Sequence, residues 1–281
     1  MTYILDACTL INLLHIDEDE FLLKRLKKLR IKIAPKVFEE VLGNAYQKIK
    51  RLPNEEKNSY QKYLDSQIAQ FRVFLSKESD FLLPEEDMEK ILGYSKKNGE
   101  FHSTRLAFSI SRMEETKVFF VTDDQPAKSF FQPIFQFHQV GYVEDNVDLL
   151  TLLYWLNDDF KKNHFSNFLS KLYSEYAQNL DELIGMFRNL FSNFPQTLLR
   201  DPHRNKLRML IDKLEGHKFV GLSVLWKELA GWKKIPALTK VLKDYEFILE
   251  LESGSTDLLE KISTLKNQLK SKMVFTAFSR N

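Results

Sequence analysis

Cysteine is nearly absent. Cys8 is the single one in 281 residues, so no disulfide can form within the chain, which suits a reducing compartment and sets the expectation of a cytoplasmic protein. Long apolar runs are missing too: no stretch reaches the roughly 18–20 residues that a membrane-spanning helix needs. The first residues enter a strand-like run instead of a charged segment followed by an apolar one, so no secretory signal is expected. There is no Gly-x-x-x-x-Gly-Lys-Ser/Thr loop, which argues against Walker-type nucleotide hydrolysis. The six histidines follow neither H-E-x-x-H nor zinc-finger spacing, which argues against a zinc enzyme. Nor is charge of one sign in excess: 41 Lys and Arg face 39 Asp and Glu. Bulk charge therefore does not announce nucleic acid, although a local basic groove stays compatible with it. No internal repeat at a fixed period and no low-complexity segment is present.

What is there points to a large core. Hydrophobic residues make up 43% of the chain and Phe alone occurs 23 times, enough for one large domain or two ordinary ones. Residues 2–5 read as a short buried strand, 9–14 and 19–29 as helices, and 30–34 as a strand ended by Pro35, which also suits the start of the next helix. A polar helical stretch covers 46–77 with a break at Pro53. Pro84 opens a helix with acids in its first turn, stopped at Asn98-Gly99. A further helix spans 100–115. Residues 118–121 read as a strand, 125–131 as a helix, 135–140 as a strand and 145–156 as a helix. This alternation predicts an α/β fold with a parallel sheet. Beyond residue 157 only helical patterns follow. The expected division is an α/β domain over 1–156 and an α-helical domain over 157–281.

Four acids stand out. Asp6 follows the strand Tyr3-Ile4-Leu5, and Asp123 follows Val118-Phe119-Phe120-Val121-Thr122. In open α/β sheets, ligands bind beyond the carboxyl ends of the strands, so two acids there can converge although they are far apart in sequence. Glu40 lies in the first turns of the helix after the second strand, on the side of Val37. Glu100 shares a helix face with Ser103, Ala107 and Ile110, a small and apolar face that packs inward. A buried charge needs a partner, and converging carboxylates repel one another. A hard divalent cation answers both requirements. The plainer reading is that Asp6 and Asp123 cap the helices that follow them, that Glu39 and Glu40 are surface acids, and that Asp124 is a cap. His102 points away from Glu100 along the helix, Cys8 reads as a small buried residue, and Trp155, Trp226 and Trp232 read as core.

The segments Leu5-Asp6-Ala7-Cys8-Thr9-Leu10-Ile11-Asn12-Leu13, Ile33-Ala34-Pro35-Lys36-Val37-Phe38-Glu39-Glu40-Val41, Gly99-Glu100 with its helix to Ala107, and Val121-Thr122-Asp123-Asp124 followed by Ala127 resemble, in order and context, the PIN domain of metal-dependent ribonucleases. The likeness is greatest to stand-alone prokaryotic members of the toxin type and covers about residues 1–155. It implies a three-layer α/β/α domain that hydrolyses RNA at a site holding Mg²⁺ or Mn²⁺. Asp6, Glu40, Glu100 and Asp123 would be the metal-binding acids, Asp124 an auxiliary one, and Thr9 and Thr122 would orient the ligands from behind. The products would carry a 5′-phosphate and a 3′-hydroxyl. Toxins of this kind are commonly held by an inhibitory protein partner, which the helical region could serve, as it could a homodimer contact. Three departures stand: Cys8 occupies a position that is often Ser or Asn, the stretch between Glu40 and Glu100 is long, and the helical region after residue 156 has no counterpart in the compact toxin-type members.

The later half has a mild basic excess, with clusters at Arg204, Lys206 and Arg208 and at Lys233 and Lys234. These read either as a solvated helical surface or as a platform guiding an RNA backbone by phosphate contacts. DNA as substrate and a non-cutting RNA- or protein-binding scaffold remain as alternatives.

Overall fold

The computed structural model describes residues 1–17, 19–46, 54–198, 200–216, 218–246, 248–249 and 256–271. The chain forms two compact units, Met1–Lys171 and Leu172–Asn281, a division that falls beyond the expected boundary after residue 156.

The first unit is built on four parallel strands in the order β2-β1-β3-β4: β1 (Thr2–Leu5), β2 (Ile31–Lys32), β3 (Val118–Val121) and β4 (Gly141–Glu144). An isolated parallel bridge from Ile33 to Leu75 extends the β2 edge. β1 and β3 are central, in the register Tyr3–Phe119 and Leu5–Val121. β1 is buried along its whole length, as a strand covered on both faces should be. This is an α/β domain with an all-parallel sheet, as the alternation of patterns predicts.

Helices connect the strands: α1 (Ala7–Ile16), α2 (Phe21–Leu26), α3 (Pro35–Asn44), α4 (Asn54–Phe71), α5 (Glu85–Leu92), α6 (Gly99–Glu114), α7 (Gln125–Phe137) and α8 (Asn146–Leu156). Three details differ from the sequence reading. α5 ends at Gly93, whose φ of 59° turns the chain out of the helix, so Asn98 opens α6 instead of closing α5. α7 runs to Phe137 through the stretch expected to start a strand, because Phe131 and Phe135, four apart, both pack against Phe120. That spacing is the helical period, and it outweighs Pro133 inside the helix. Trp155, expected in the core, is 51% exposed. The expected break at Pro53 lies outside the described residues.

α9 (Lys162–Ser192) is one helix where the sequence suggests two. Its first ten residues belong to the first unit, where Phe165 stacks on Tyr154 with centroids 4.7 Å apart and Phe168 packs with Phe21 and Phe160. The remainder opens the second unit, which continues with α10 (Pro202–Glu215), α11 (Leu222–Ala230), α12 (Pro236–Asp244) and α13 (Thr256–Lys270). Phe187, Leu210, Leu214, Trp226 and Leu242 share one apolar core there, and Trp226 Nε1 donates to the Leu242 carbonyl at 3.1 Å. Among the described residues no strand follows β4, and no helix is long and apolar enough to cross a membrane.

Candidate metal centre at the carboxyl ends of β1 and β3

The chain leaves β1 for β2 on one side and β3 for β4 on the other. The crevice between β1 and β3 is therefore the place where strand order reverses, which is where ligands bind in open α/β sheets. Asp6 and Asp123 both stand there. Asp6 N–H donates to the Val121 carbonyl at 3.0 Å, which continues the strand pairing by one residue and fixes Asp6 beside Thr122.

Asp6 is 4% exposed. It occupies the N-cap position of α1, yet its carboxylate makes no capping bond there, contrary to the plain helix-cap reading. Oδ2 instead accepts from Thr122 Oγ1 at 3.0 Å and from Cys8 Sγ at 3.3 Å. Burial pushes the Asp6 carboxyl up to about 7; hydrogen bonds from Ala7, Thr122 and Cys8 resist the rise and the charge of Glu100 adds to it. Among the described residues no lysine or arginine forms an ion pair with Asp6 or Glu100. Cys8 is a working part of this arrangement. Burial and the charges of Asp6 and Asp123 push its thiol well above its ordinary value, so it stays protonated and can donate to Asp6, while its sulfur accepts from Asp123 N–H at 3.3 Å.

Asp123 is held by amides. Its oxygens accept from Asn12 Nδ2 at 2.8 Å, from Asn146 N–H at 2.9 Å and from Asn146 Nδ2. Its neighbour Asp124 is the true cap of α7, accepting from Ala127 N–H at 2.8 Å. That bond uses Oδ1 and is the one the plain cap reading expects, while the charge of Asp124 still bears on Glu100. Thr122 touches Asp6 directly. Thr9 acts at one remove, donating to the Val121 carbonyl at 3.0 Å and tying α1 to the end of β3.

Glu100 sits in the first turn of α6. Asn98 caps that helix by accepting from Phe101 N–H at 3.2 Å and donates its other amide atom to Glu100 Oε2 at 2.9 Å. Tyr94 Oη donates to the same oxygen at 3.3 Å. The Glu100 carboxyl is raised, by burial first and by the charge of Asp124 as well, with Asn98, Tyr94 and Lys96 opposing. Glu40 Oε1 accepts from Gly99 N–H at 2.8 Å. A Cβ on Gly99 would fall 2.4 Å from Glu40 Oε2, so only glycine lets Glu40 approach the start of α6. Glu39 is exposed and pairs with Lys36 at 2.9 Å.

The sequence reading thus names residues that the fold gathers at one sheet end. It missed Asn12, Asn98, Asn146 and Tyr94. A polar Asn inside the apolar run Leu10-Ile11-Asn12-Leu13-Leu14 was the visible signal for the first; the others need the tertiary structure. Among the described residues no group of three or more His, Cys, Asp and Glu is placed to hold a metal ion. Glu40, Glu100 and Asp123 are each turned onto N–H or O–H donors. The donor chemistry fits a hard cation nevertheless: it is oxygen-rich and like-charged, and the charge of Glu100 raises the Asp6 carboxyl as that of Asp124 raises Glu100.

Outside this centre, a cavity of about 290 Å³ lies between the sheet and α8, lined by Tyr3, Phe119, Glu144, Leu149, Leu152 and Trp155 among others; it shares no residue with the acidic set. The basic residues expected to guide RNA are in the second unit. There Lys206 pairs with Glu228 at 3.2 Å, Lys234 pairs with Asp201 at 3.2 Å, and the Arg204 guanidinium lies 4.5 Å from the Phe191 ring centroid. Arg208 and Lys233 are exposed. Compared with protein-family models, curated proteins and solved structures, the chain matches none.

Proposed function

We propose that this chain is a metal-dependent ribonuclease of the PIN-like kind, hydrolysing phosphodiester bonds at the crevice between β1 and β3. The observation that carries this reading is Asp6: a buried carboxylate at the point of strand reversal, uncapped, without a cationic partner and beside a second raised acid, Glu100. Capping of α1 does not account for that combination, since apart from the Ala7 N–H the carboxylate bonds Thr122 and Cys8 instead of the rest of the first turn.

Asp6, Glu100 and Asp123 would hold Mg²⁺ or Mn²⁺, with Glu40 at the margin through its bond to Gly99. The bound cation supplies a water of lowered pKa and neutralises charge on the phosphate. The protein's own part is preparation. Thr122 and Cys8 fix the Asp6 carboxylate, Asn12 and Asn146 fix Asp123, and Asn98 and Tyr94 fix Glu100. Asp124 stays with α7 and is left out of the ligand set.

The test is cleavage of end-labelled single-stranded RNA and DNA with Mn²⁺, Mg²⁺ or EDTA, by wild type, Asp6→Asn and Glu100→Gln. Metal-dependent cutting of RNA, lowered at least about a hundredfold in each variant, is the expected result. Cutting of DNA alone would redirect the reading to a DNA nuclease. Tight binding without cutting in either metal would leave a scaffold.

A further inference from the structure

We propose that Tyr94 and Phe130 form a stacking platform that holds one unpaired base of the nucleic acid beside Glu100, with Lys96 contacting a neighbouring phosphate; the identity of the polymer rests on the nuclease reading above. The loop between α5 and α6 is unusually laden. Released from α5 at Gly93, it carries Tyr94, Lys96 and Asn98 within five residues, and all three act on Glu100. Tyr94 reaches Glu100 through its hydroxyl at 3.3 Å. Its ring therefore stands beside the acidic centre.

Phe130, on α7, lies with its ring centroid 5.4 Å from that of Tyr94, and is 41% exposed. Behind both is Phe131, buried, edge-on to Tyr94 at 5.9 Å and to Phe130 at 5.0 Å. The exposed ring is thus braced from below by the core and open above, which is what a base-stacking surface requires. A single exposed aromatic is ordinary on a protein surface, and Phe137 at the far end of the same helix is more exposed still at 82%. Among the described residues Phe137 has the His138 ring beside it and no other, whereas Phe130 adjoins an aromatic that is itself hydrogen-bonded to a site acid.

A cation beside the rings gives a phosphate a partner here. The acids alone would repel a phosphate backbone. Lys96 is exposed, lies within electrostatic reach of Glu100 and forms no ion pair with a described residue. It can take up a phosphate while the ring pair takes the adjoining base. Stacking accepts any base, because every base has a π face, but it needs that base out of a duplex. The platform would therefore select unpaired strands without selecting sequence.

The experiment is fluorescence anisotropy of a labelled twelve-nucleotide single-stranded RNA with the full chain in EDTA, compared with the same oligonucleotide carrying abasic residues. Wild type should bind the intact strand at least about fivefold more tightly than the abasic one. Phe130→Ala should bring intact binding down to the abasic level and leave abasic binding unchanged, whereas Phe130→Trp should keep the difference. Lys96→Gln should weaken both and lower the salt slope by about one. Equal wild-type binding of the two strands, equal losses on both in Phe130→Ala, or failure of Phe130→Trp would each overturn the platform. Because binding is read without metal, it is separate from cleavage. Base-dependent binding with no cutting would sink the nuclease and keep the platform; cutting without base dependence would do the reverse; no binding to any oligonucleotide would sink the platform directly.

Discussion

Asp6 gives the site a measurable cost. Its carboxyl titrates near 3.8 in an ordinary setting and at about 7 in the folded chain. Between those values the folded state holds a proton that the unfolded state has released, so stability falls as pH rises. The contribution is fully present below about pH 4 and is lost by about pH 7, on the order of 4 kcal/mol in all. Urea midpoints in EDTA should therefore drop from pH 5 to pH 8. Asp6→Asn, which cannot ionise, should flatten most of that slope and exceed wild type at pH 8. Some slope should remain, since Glu100 is raised in the same direction. Parallel pH curves for the two proteins would show that Asp6 does not carry this charge. Gly99 supplies a second residue-scale prediction. In Gly99→Ala the new methyl meets the flexible end of Glu40 and, at 3.1 Å, Cγ2 of the buried Val37, so the carboxylate swings aside and Val37 must give way. Stability should fall by about 1 kcal/mol, while metal-dependent cleavage, measured beside it, falls at least about tenfold.

The loop and cap of α6 show how elements place acids. Asn98 serves two masters, taking Phe101 N–H on one atom and giving Glu100 a hydrogen bond from the other. Asn98→Ala should cost about 1 kcal/mol of stability through the lost cap. Asn98→Asp should recover most of that, since it still caps, yet should leave cleavage impaired because it brings a carboxylate in place of the donor to Glu100. Equal activity in wild type and Asn98→Asp would detach the cap from the site. The same element shows why the sequence was legible in part. The central strands and the acids after them could be read because short, fully apolar runs ending in Asp are visible without a partner. The stop of α5 was misplaced because two glycines compete for it, and only Gly93 takes the left-handed turn. The course of α7 was misread because Phe131, Phe135 and Phe137 fit a period of two and a period of four, and what decides between them is Phe120 on a different strand. Asn98, Asn146 and Tyr94 were invisible for a related reason: each acts on an acid through a hydrogen bond that the polar-apolar pattern of its own segment does not encode.

At the scale of the whole molecule the question is where the first unit ends. Residue 156 is where strand signals stop, but the unit closes only at Lys171. The residues between are structural members of it. Phe160, Phe165 and Phe168 are buried and pack around Tyr154 and Phe21. Asp159 meets Arg25 at 2.5 Å, and Arg25 is itself 5% exposed. Cutting the chain after Leu156 would strip three aromatic rings from this cluster, at roughly 3–5 kcal/mol for each. It would also remove the Asp159 side chain, 64% exposed, from the Arg25 guanidinium, a smaller loss. The rings alone come to about 9–15 kcal/mol, comparable to the whole 5–15 kcal/mol by which a typical domain is stable. A fragment of residues 1–171 keeps every one of these contacts. The core of the second unit, from Leu180 to Ile248, draws on none of its residues. The 1–171 fragment should therefore unfold cooperatively on its own and, on the proposed function, retain metal-dependent cleavage. The 1–156 fragment should show no cooperative transition by circular dichroism. Two fragments of equal stability would mean that the aromatic cluster around Phe160 is dispensable and that the boundary does lie where the strands end.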